Sequence, residues 1–232
     1  MGRPPSSVDF FRVWTPEMAY ILGYWWADGC MRIKSDTGAH LIAIAGNDRA
    51  HLETMAQAIN VNYYLRKVSL SSQCYEISYC SKEMFEDLQA HGGTPHKSRT
   101  IGFPSVPPEL LPHFVRGFVD GDGTLSWNAG RPILQIYSAS RPLLDDMAMA
   151  IERVIGILAP NLSANRENAY IKWSTVRAKC LAAWLYFDNV GLALGQKVAV
   201  AAQFLEWQPK KKPERGTITD EMRMNFSAYL PL

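Results

Sequence analysis

Long apolar runs are missing from this sequence. No stretch approaches the ~20 consecutive apolar residues that a membrane-spanning helix needs, so no membrane partner is expected. The first residues, MGRPPSSVDFF, lack the apolar core of a secretory signal, and an intracellular protein is expected on that ground. MGRPPS fits the myristoylation pattern superficially, but Pro4, Pro5 and the want of a second anchor argue against lipid attachment. Cysteine is scarce: four residues, at 30, 74, 80 and 180, cannot frame a chain of 232 residues with disulfides. Cys74, Cys80, His91 and His96 stand in the order of a zinc finger. Their Cys spacing is wider than fingers use, and Tyr75, Ile77 and Tyr79 between them read as a strand, so reduced thiols are expected. Charge of one sign is also in short supply. A net charge of +2 permits nucleic-acid binding where it is concentrated on one face, and does not argue for it alone. What is present is ordinary globular material, 47% hydrophobic and 20% charged, enough to pack one large domain or two small ones.

The chain repeats itself. Residues 14–29 and 108–123 both begin near Pro-Glu (Pro16-Glu17 and Pro108-Glu109), continue apolar and close on Asp-Gly. In register Gly23 meets Gly117, Tyr24 meets Phe118, Ala27 meets Gly121 and Asp28 meets Asp122. After the first copy CMRIKS and HLIAIA read as strands around Asp36-Thr37-Gly38; after the second TLSWN and PILQIYS do so around Ala129-Gly130-Arg131. Asp48 is placed to N-cap a helix carrying Leu52, Met55, Ala56 and Ile59 on one stripe. Ser140 is placed to cap another carrying Leu144, Met147, Ala148, Ile151 and Ile155. The strands NYYLRKV and CYEISY follow in the first half, NLSAN and AYIKWST in the second, each pair followed by helical segments. The order is α-β-β-α-β-β-α, twice. Halves at residues 10–92 and 108–207, a Pro-rich linker at 93–107 and a basic linker with a tail at 208–232 are expected, in an α+β fold with two antiparallel sheets.

Gly23 and Ala27, like Gly117 and Gly121, lie four apart, so each predicted helix carries a small-residue stripe that lets two backbones approach closely. Packing the two copies on each other brings Asp28 and Asp122 into one small space at both helix C-termini. A helix C-terminus disfavours an acid by ~0.3–1 kcal/mol, and two neighbouring carboxylates repel. A cation between them resolves both problems. Hard divalent ions with oxygen ligands, Mg²⁺ first, fit Asp28, Asp122 and the backbone carbonyls of Ala27 and Gly121, with waters and phosphate oxygens completing the shell. A lone Asp-Gly is more simply a helix end; two in equivalent positions favour the metal reading. Asp120 has Trp26 as its counterpart and is expected on the helix surface or behind the site.

Alternation gives each strand one apolar and one polar face. Arg32 and Lys34 oppose Met31 and Ile33. Glu76 and Ser78 alternate with Tyr75, Ile77 and Tyr79. Ser126 and Asn128 oppose Leu125 and Trp127, Gln135 and Tyr137 oppose Leu134 and Ile136, and Lys172 and Ser174 alternate with Ile171 and Trp173. Arg66, Lys67 and Ser138 complete a set suited to base edges and phosphates in a DNA groove.

ILGYWWADG and VRGFVDGDG resemble two copies of the motif that names the LAGLIDADG homing endonucleases, and the doubled αββαββα pattern resembles that family's single-chain members over roughly residues 10–207. The resemblance implies motif helices at the interface between halves and metal on Asp28 and Asp122. It implies two saddle-like sheets in the major groove of a long, nearly palindromic double-stranded DNA site, and hydrolysis of one phosphodiester on each strand by a monomer, leaving short 3′ overhangs. It implies two or more Mg²⁺ ions, with Mn²⁺ or Ca²⁺ as substitutes in binding. Lysines near each active site are also implied; Lys97 in PHKSRT and Lys197 in LGQKVA match. So is a polar, water-positioning residue after the second strand, where Gly46 or Asn47 and Ser138 stand. The alternatives on the same scaffold are an intron RNA maturase, with intron RNA as partner, and a non-cleaving DNA-binding regulator, in which one or both acids are expected to be lost. The expected setting is a microbial cytoplasm or nucleoid, a phage-infected cell or an organelle matrix.

Overall fold

The computed structural model describes residues 7–71, 73–165, 168–189, 191–209 and 218–230. The first half runs α1 (Pro16–Asp28), β1 (Gly29–Ile33), β2 (His40–Gly46), α2 (Arg49–Ile59), β3 (Tyr64–Lys67), β4 (Tyr75–Cys80) and α3 (Lys82–Ala90). The second runs α4 (Leu111–Asp122), β5 (Gly123–Asn128), β6 (Arg131–Ser138), α5 (Arg141–Ile155), β7 (Ser163–Asn165), β8 (Asn168–Ser174), α6 (Thr175–Tyr186) and α7 (Gly195–Glu206), and a short α8 (Asp220–Asn225) follows. The two sheets have the same antiparallel order, β1-β2-β4-β3 and β5-β6-β8-β7. The duplicated α+β architecture read from the sequence is the one observed. Among the described residues no helix is long and apolar enough to cross a membrane.

The helix pair α1 and α4 forms the centre. Thr15 caps α1 by accepting from the Met18 amide at 3.1 Å, with Pro16 at the first helical position. Every residue of α1 from Met18 to Trp26 and every residue of α4 from Leu111 to Asp120 is buried, because each helix is covered by its partner, its own sheet and the outer helices. The approach is backbone to backbone: a Cβ on Gly23 would stand 2.0 Å from the Phe114 carbonyl oxygen, and one on Gly117 would stand 1.9 Å from that of Tyr20. Further along the stripe, a Cβ on Gly121 would meet the Ala27 methyl at 2.5 Å.

Two local expectations are corrected. Asp48 does cap α2, accepting from the His51 amide at 3.0 Å, but Ser140 makes no side-chain cap on α5. Its hydroxyl instead donates to the Ile101 carbonyl at 2.7 Å, tying the 93–107 segment to the second half. Within that segment Lys97 and Ile101 are buried. Ile33 and Trp127 share the helix-facing side of their strands yet are 57% and 41% exposed, because both stand near the outer end of an edge strand, where Trp127 still packs edge-on against Phe204 with ring centres 5.1 Å apart. The basic run at 210–217 lies outside the described residues. Beyond it α8 packs on α5, burying Met222 and Phe226, and the Tyr229 hydroxyl donates to Asp188 at 2.7 Å.

Candidate active site

Asp28 and Asp122 are the last residues of α1 and α4, and the strand that follows each begins at the next residue. Packed helices with equivalent ends bring the two acids together: the Asp122 charge helps to raise the Asp28 carboxyl, and a Cβ on Gly121 of α4 would stand 3.2 Å from Asp28 Oδ2. Burial is the larger cause, lifting Asp28 from 3.8 to about 6, and burial also raises Asp122. Lys97 and Lys197 oppose the shift at both.

The lysines solve the problem that helix C-termini pose. Lys97, in the helical turn Lys97–Arg99, donates to the Trp26 carbonyl at 2.7 Å and the Ala27 carbonyl at 3.4 Å, with its ammonium 5.0 Å from the centre of the Trp25 ring. Lys197, in the first turn of α7, donates to the carbonyls of Val119, Asp120 (3.0 Å) and Gly123 (2.9 Å). Each half's lysine thus supplies positive charge to the exposed carbonyls at the end of its own motif helix. Burial pulls both ammonium groups down, Lys97 to about 8, while Asp122 and Asp28 pull Lys97 back up and Asp120, followed by Asp28 and Asp122, does the same for Lys197.

Two clefts open beside the acids. One of about 400 Å³ joins Asp28 and Asp122 to Lys197, Tyr24, Gly46 and Asn47. The other, of about 160 Å³, joins Asp122 to Lys97, Ala27 and Ser138. The end of the second strand of each half therefore borders a cleft, with different groups: Ser138 in one, Gly46 and Asn47 in the other. Gly46 has a local reason, since a Cβ there would stand 2.5 Å from the Tyr24 hydroxyl. Tyr24, four residues before Asp28, places that hydroxyl over Gly46 at the larger cleft. The oxygen-only donors Asp28, Asp122 and the Gly121 carbonyl suit a hard divalent cation. The Ala27 carbonyl, offered as a ligand from sequence, already accepts a long bond from Lys97.

The register sorts the polar sheet residues. Arg32, Ser78, Glu76 and Arg66 share the open face of the first sheet. Arg32 and Arg66 are exposed, and Arg66 pairs with Glu76 at 2.8 Å. Ser78 departs from the expected pattern: it is 9% exposed, a short side chain on an inner strand flanked by Ala43 and Tyr64. Lys67 falls on the opposite face from Arg66, because neighbours in a strand must alternate, and it reaches the Leu70 carbonyl at 3.4 Å. Lys34 lies just past the end of β1. In the second sheet Ser126, Asn128, Gln135, Tyr137, Lys172 and Ser174 share the open face. Ser138 falls on the other side, turned to the cleft and not to the open sheet.

Asp120 is not on the helix surface. It is 3% exposed and accepts three hydrogen bonds: from the Tyr20 hydroxyl (2.7 Å), the Leu194 amide (2.7 Å) and the Tyr186 hydroxyl (2.8 Å). Burial raises its pKa, and these donors with Lys197 oppose the rise. Tyr20 has one hydroxyl proton, given to Asp120, so its 2.7 Å contact with His51 Nε2 is accepted from the imidazole. Nearby Arg116, 1% exposed, donates to the carbonyls of Leu185 (2.6 Å), Leu192 (2.7 Å) and Asn189 and to His113 Nδ1. Tyr24, Tyr20, His51, Tyr186 and Arg116 were not singled out from sequence. Tyr24 carried a usable signal, one helical turn before Asp28; the others are brought together only by tertiary packing.

Two packed motif helices, doubled sheets and paired acids thus make one duplicated fold around a single site. Residues 109–174 match the LAGLIDADG-like domain family. Among solved structures the chain is similar to I-DmoI in complex with DNA and Mn, at 14% identity over 78% of this chain and 98% of that one, with a TM-score of 0.52. It is similar to the LAGLIDADG meganuclease I-AabMI bound to uncleaved DNA, at 13% identity over 83% and 90%, TM-score 0.57. It is also similar to full-length DUF199/WhiA from Thermatoga maritima, at 14% identity over 91% and 68%, TM-score 0.55. No curated protein sequence matches the chain.

Proposed function

We propose that the chain is a site-specific double-stranded DNA endonuclease, acting as a monomer, that hydrolyses one phosphodiester on each strand of a long, pseudo-palindromic target and leaves short 3′ overhangs. The observation that carries this reading is the pair of acids at the ends of α1 and α4, each helix end capped by a lysine, Lys97 buried and Lys197 half-buried. A binding role alone needs neither the gathered acids nor cations withdrawn from solvent beside them, both of which are costly to hold. I-DmoI and I-AabMI, structures of the same fold, are complexes with DNA, and those of I-DmoI contain Mn in one case and Ca in another.

Asp28, Asp122 and the Gly121 carbonyl are the residues that would hold Mg²⁺, which supplies Lewis-acid stabilisation of phosphate oxygens and a more acidic bound water. Around them this chain's own groups have separate work. Lys97 and Lys197 hold positive charge beside the acids, where a phosphodiester accumulates negative charge in the transition state. Tyr24 and Asn47 in one cleft, and Ser138 in the other, offer polar groups that orient water. Arg32, Arg66 and Lys172 on the open sheet faces contact phosphates, while Asn128, Gln135 and Ser174 are suited to base edges.

The test is selection of cleavable duplexes from a randomised DNA library with Mg²⁺, followed by incubation of the recovered site with and without a chelator. The reading expects cuts on both strands that disappear on chelation. Duplexes that are retained but never cut with Mg²⁺ or Mn²⁺ would reject it in favour of a binding role.

A further inference from the structure

Two residues before each site aspartate the motifs differ in kind: Trp26 stands before Asp28 and Asp120 before Asp122. Both are buried, at 2% and 3% exposed, and both reach out of their helix to the same type of partner. Trp26 Nε1 donates to the Gly102 carbonyl at 2.9 Å, on the run that leaves the Lys97 turn. Asp120 Oδ2 accepts from the Leu194 amide at 2.7 Å, on the residue that opens α7 three positions before Lys197. Each lysine then returns to the backbone of that very residue: Lys97 donates to the Trp26 carbonyl at 2.7 Å and Lys197 to the Asp120 carbonyl at 3.0 Å. Side chain holds segment, and the segment's lysine holds the same residue's backbone. The loop closes in both halves with the polarity reversed, a donor in one and an acceptor in the other.

We propose that Trp26 and Asp120 are equivalent positioning residues, each fixing the segment that delivers its own half's lysine to the cleavage site. The inference rests on the endonuclease reading. Lysine is a point charge on a flexible four-carbon stem, so its ammonium stays in place only where both its backbone origin and its tip are held. Trp26 is further held by an edge contact with Phe114, ring centres 6.2 Å apart. The Asp120 carboxylate is aimed by the hydroxyls of Tyr20 and Tyr186. Because the loops are separate, their loss acts on separate strands of the DNA, which two merely core-filling hydrogen bonds would not do.

The experiment measures the two strand-cleavage rates separately on a selected duplex, with Mg²⁺ in excess and the protein saturating. Lys97→Met and Lys197→Met first assign each lysine to one strand. Trp26→Phe, which removes the indole donor, is expected to slow the Lys97 strand by roughly tenfold and the other by less than about twofold; Asp120→Ala is expected to do the reverse. Asp120→Asn, which keeps an oxygen for the Leu194 amide, is expected to restore most of the lost rate. Equal slowing of both strands, by a lysine variant or by Trp26→Phe and Asp120→Ala alike, overturns the proposal. Amide hydrogen exchange on the same full-length proteins decides independently of cutting. Trp26→Phe is expected to speed exchange over residues 97–102 and leave 194–199 alone, and Asp120→Ala to do the converse; unchanged or uniformly faster exchange overturns the proposal. If the unmutated chain cuts nothing, the endonuclease reading fails while exchange still settles the positioning.

Discussion

A carboxylate at the end of a buried helix faces half a negative charge with little water to screen it, and this chain places two such groups together. Asp28 shows the consequence. Its carboxyl rises from 3.8 to about 6, so between those values the folded chain takes up a proton that the unfolded chain does not. Folding is therefore progressively penalised as pH rises through that window, and the penalty is fully present above pH 6. A divalent cation on the ionised pair would remove it. Added Mg²⁺ or Ca²⁺ is accordingly expected to raise Tm clearly above pH 6 and hardly at all near pH 4, measured by thermal unfolding without DNA; an equal rise at both would mean that the cation binds elsewhere. The thiols give a second residue-scale test. Cys30 and Cys80 are exposed, whereas Cys180 is buried and pushed up to about 12. A thiol-labelling reagent should modify Cys30 and Cys80 in the native protein and Cys180 only after denaturation.

At the scale of elements, α1 and α4 are the part most plainly written in the sequence. The small-residue stripe predicts a close helix pair, and the glycines meet opposing carbonyls as that stripe requires. Gly117→Ala would drive a methyl into the Tyr20 carbonyl and is expected to destabilise the fold by about 3 kcal/mol, read by urea unfolding. An Ala at exposed Gly38 meets no neighbouring atom; its cost is confined to the positive φ of 68°, about 1 kcal/mol. Hairpins were equally legible, since Asp36-Thr37-Gly38 and Ala129-Gly130 interrupt alternating strands. What was not legible depended on partners distant in sequence. Ser140 has the chemistry of a helix cap, but the Ile101 carbonyl, brought beside it by the 93–107 segment, takes its hydroxyl. Ser78 alternates correctly and is nonetheless covered, because burial on an open face depends on the neighbouring strands. Asp120 could be read as a surface acid or as one behind the site, and only its three donors, from α1, α6 and the start of α7, decide between them.

Over the whole molecule, the modest net charge of +2 leaves basic groups on both open sheets, Arg32 and the Glu76-paired Arg66 on one and Arg131 and Lys172 on the other. DNA affinity is therefore expected to fall steeply with salt, with a log–log slope of about −0.9 for each phosphate neutralised. Arg32→Ala and Lys172→Ala should each flatten that slope by about one. The duplicated fold and the two acids could be read from the chain; the exchange of polar partners between halves, with Tyr24 over Gly46 on one side and Ser138 on the other, required the structure. The central claim is that Asp28 and Asp122 form one composite hydrolytic site. The most direct measurement compares double-strand cleavage of a selected duplex in Mg²⁺ by the unmutated chain, Asp28→Asn and Asp122→Asn, with DNA binding followed in parallel. The account predicts binding within a few-fold of the unmutated chain and a loss of double-strand cleavage of at least about a hundredfold in each variant. Linearisation at the unmutated rate by either variant would contradict it.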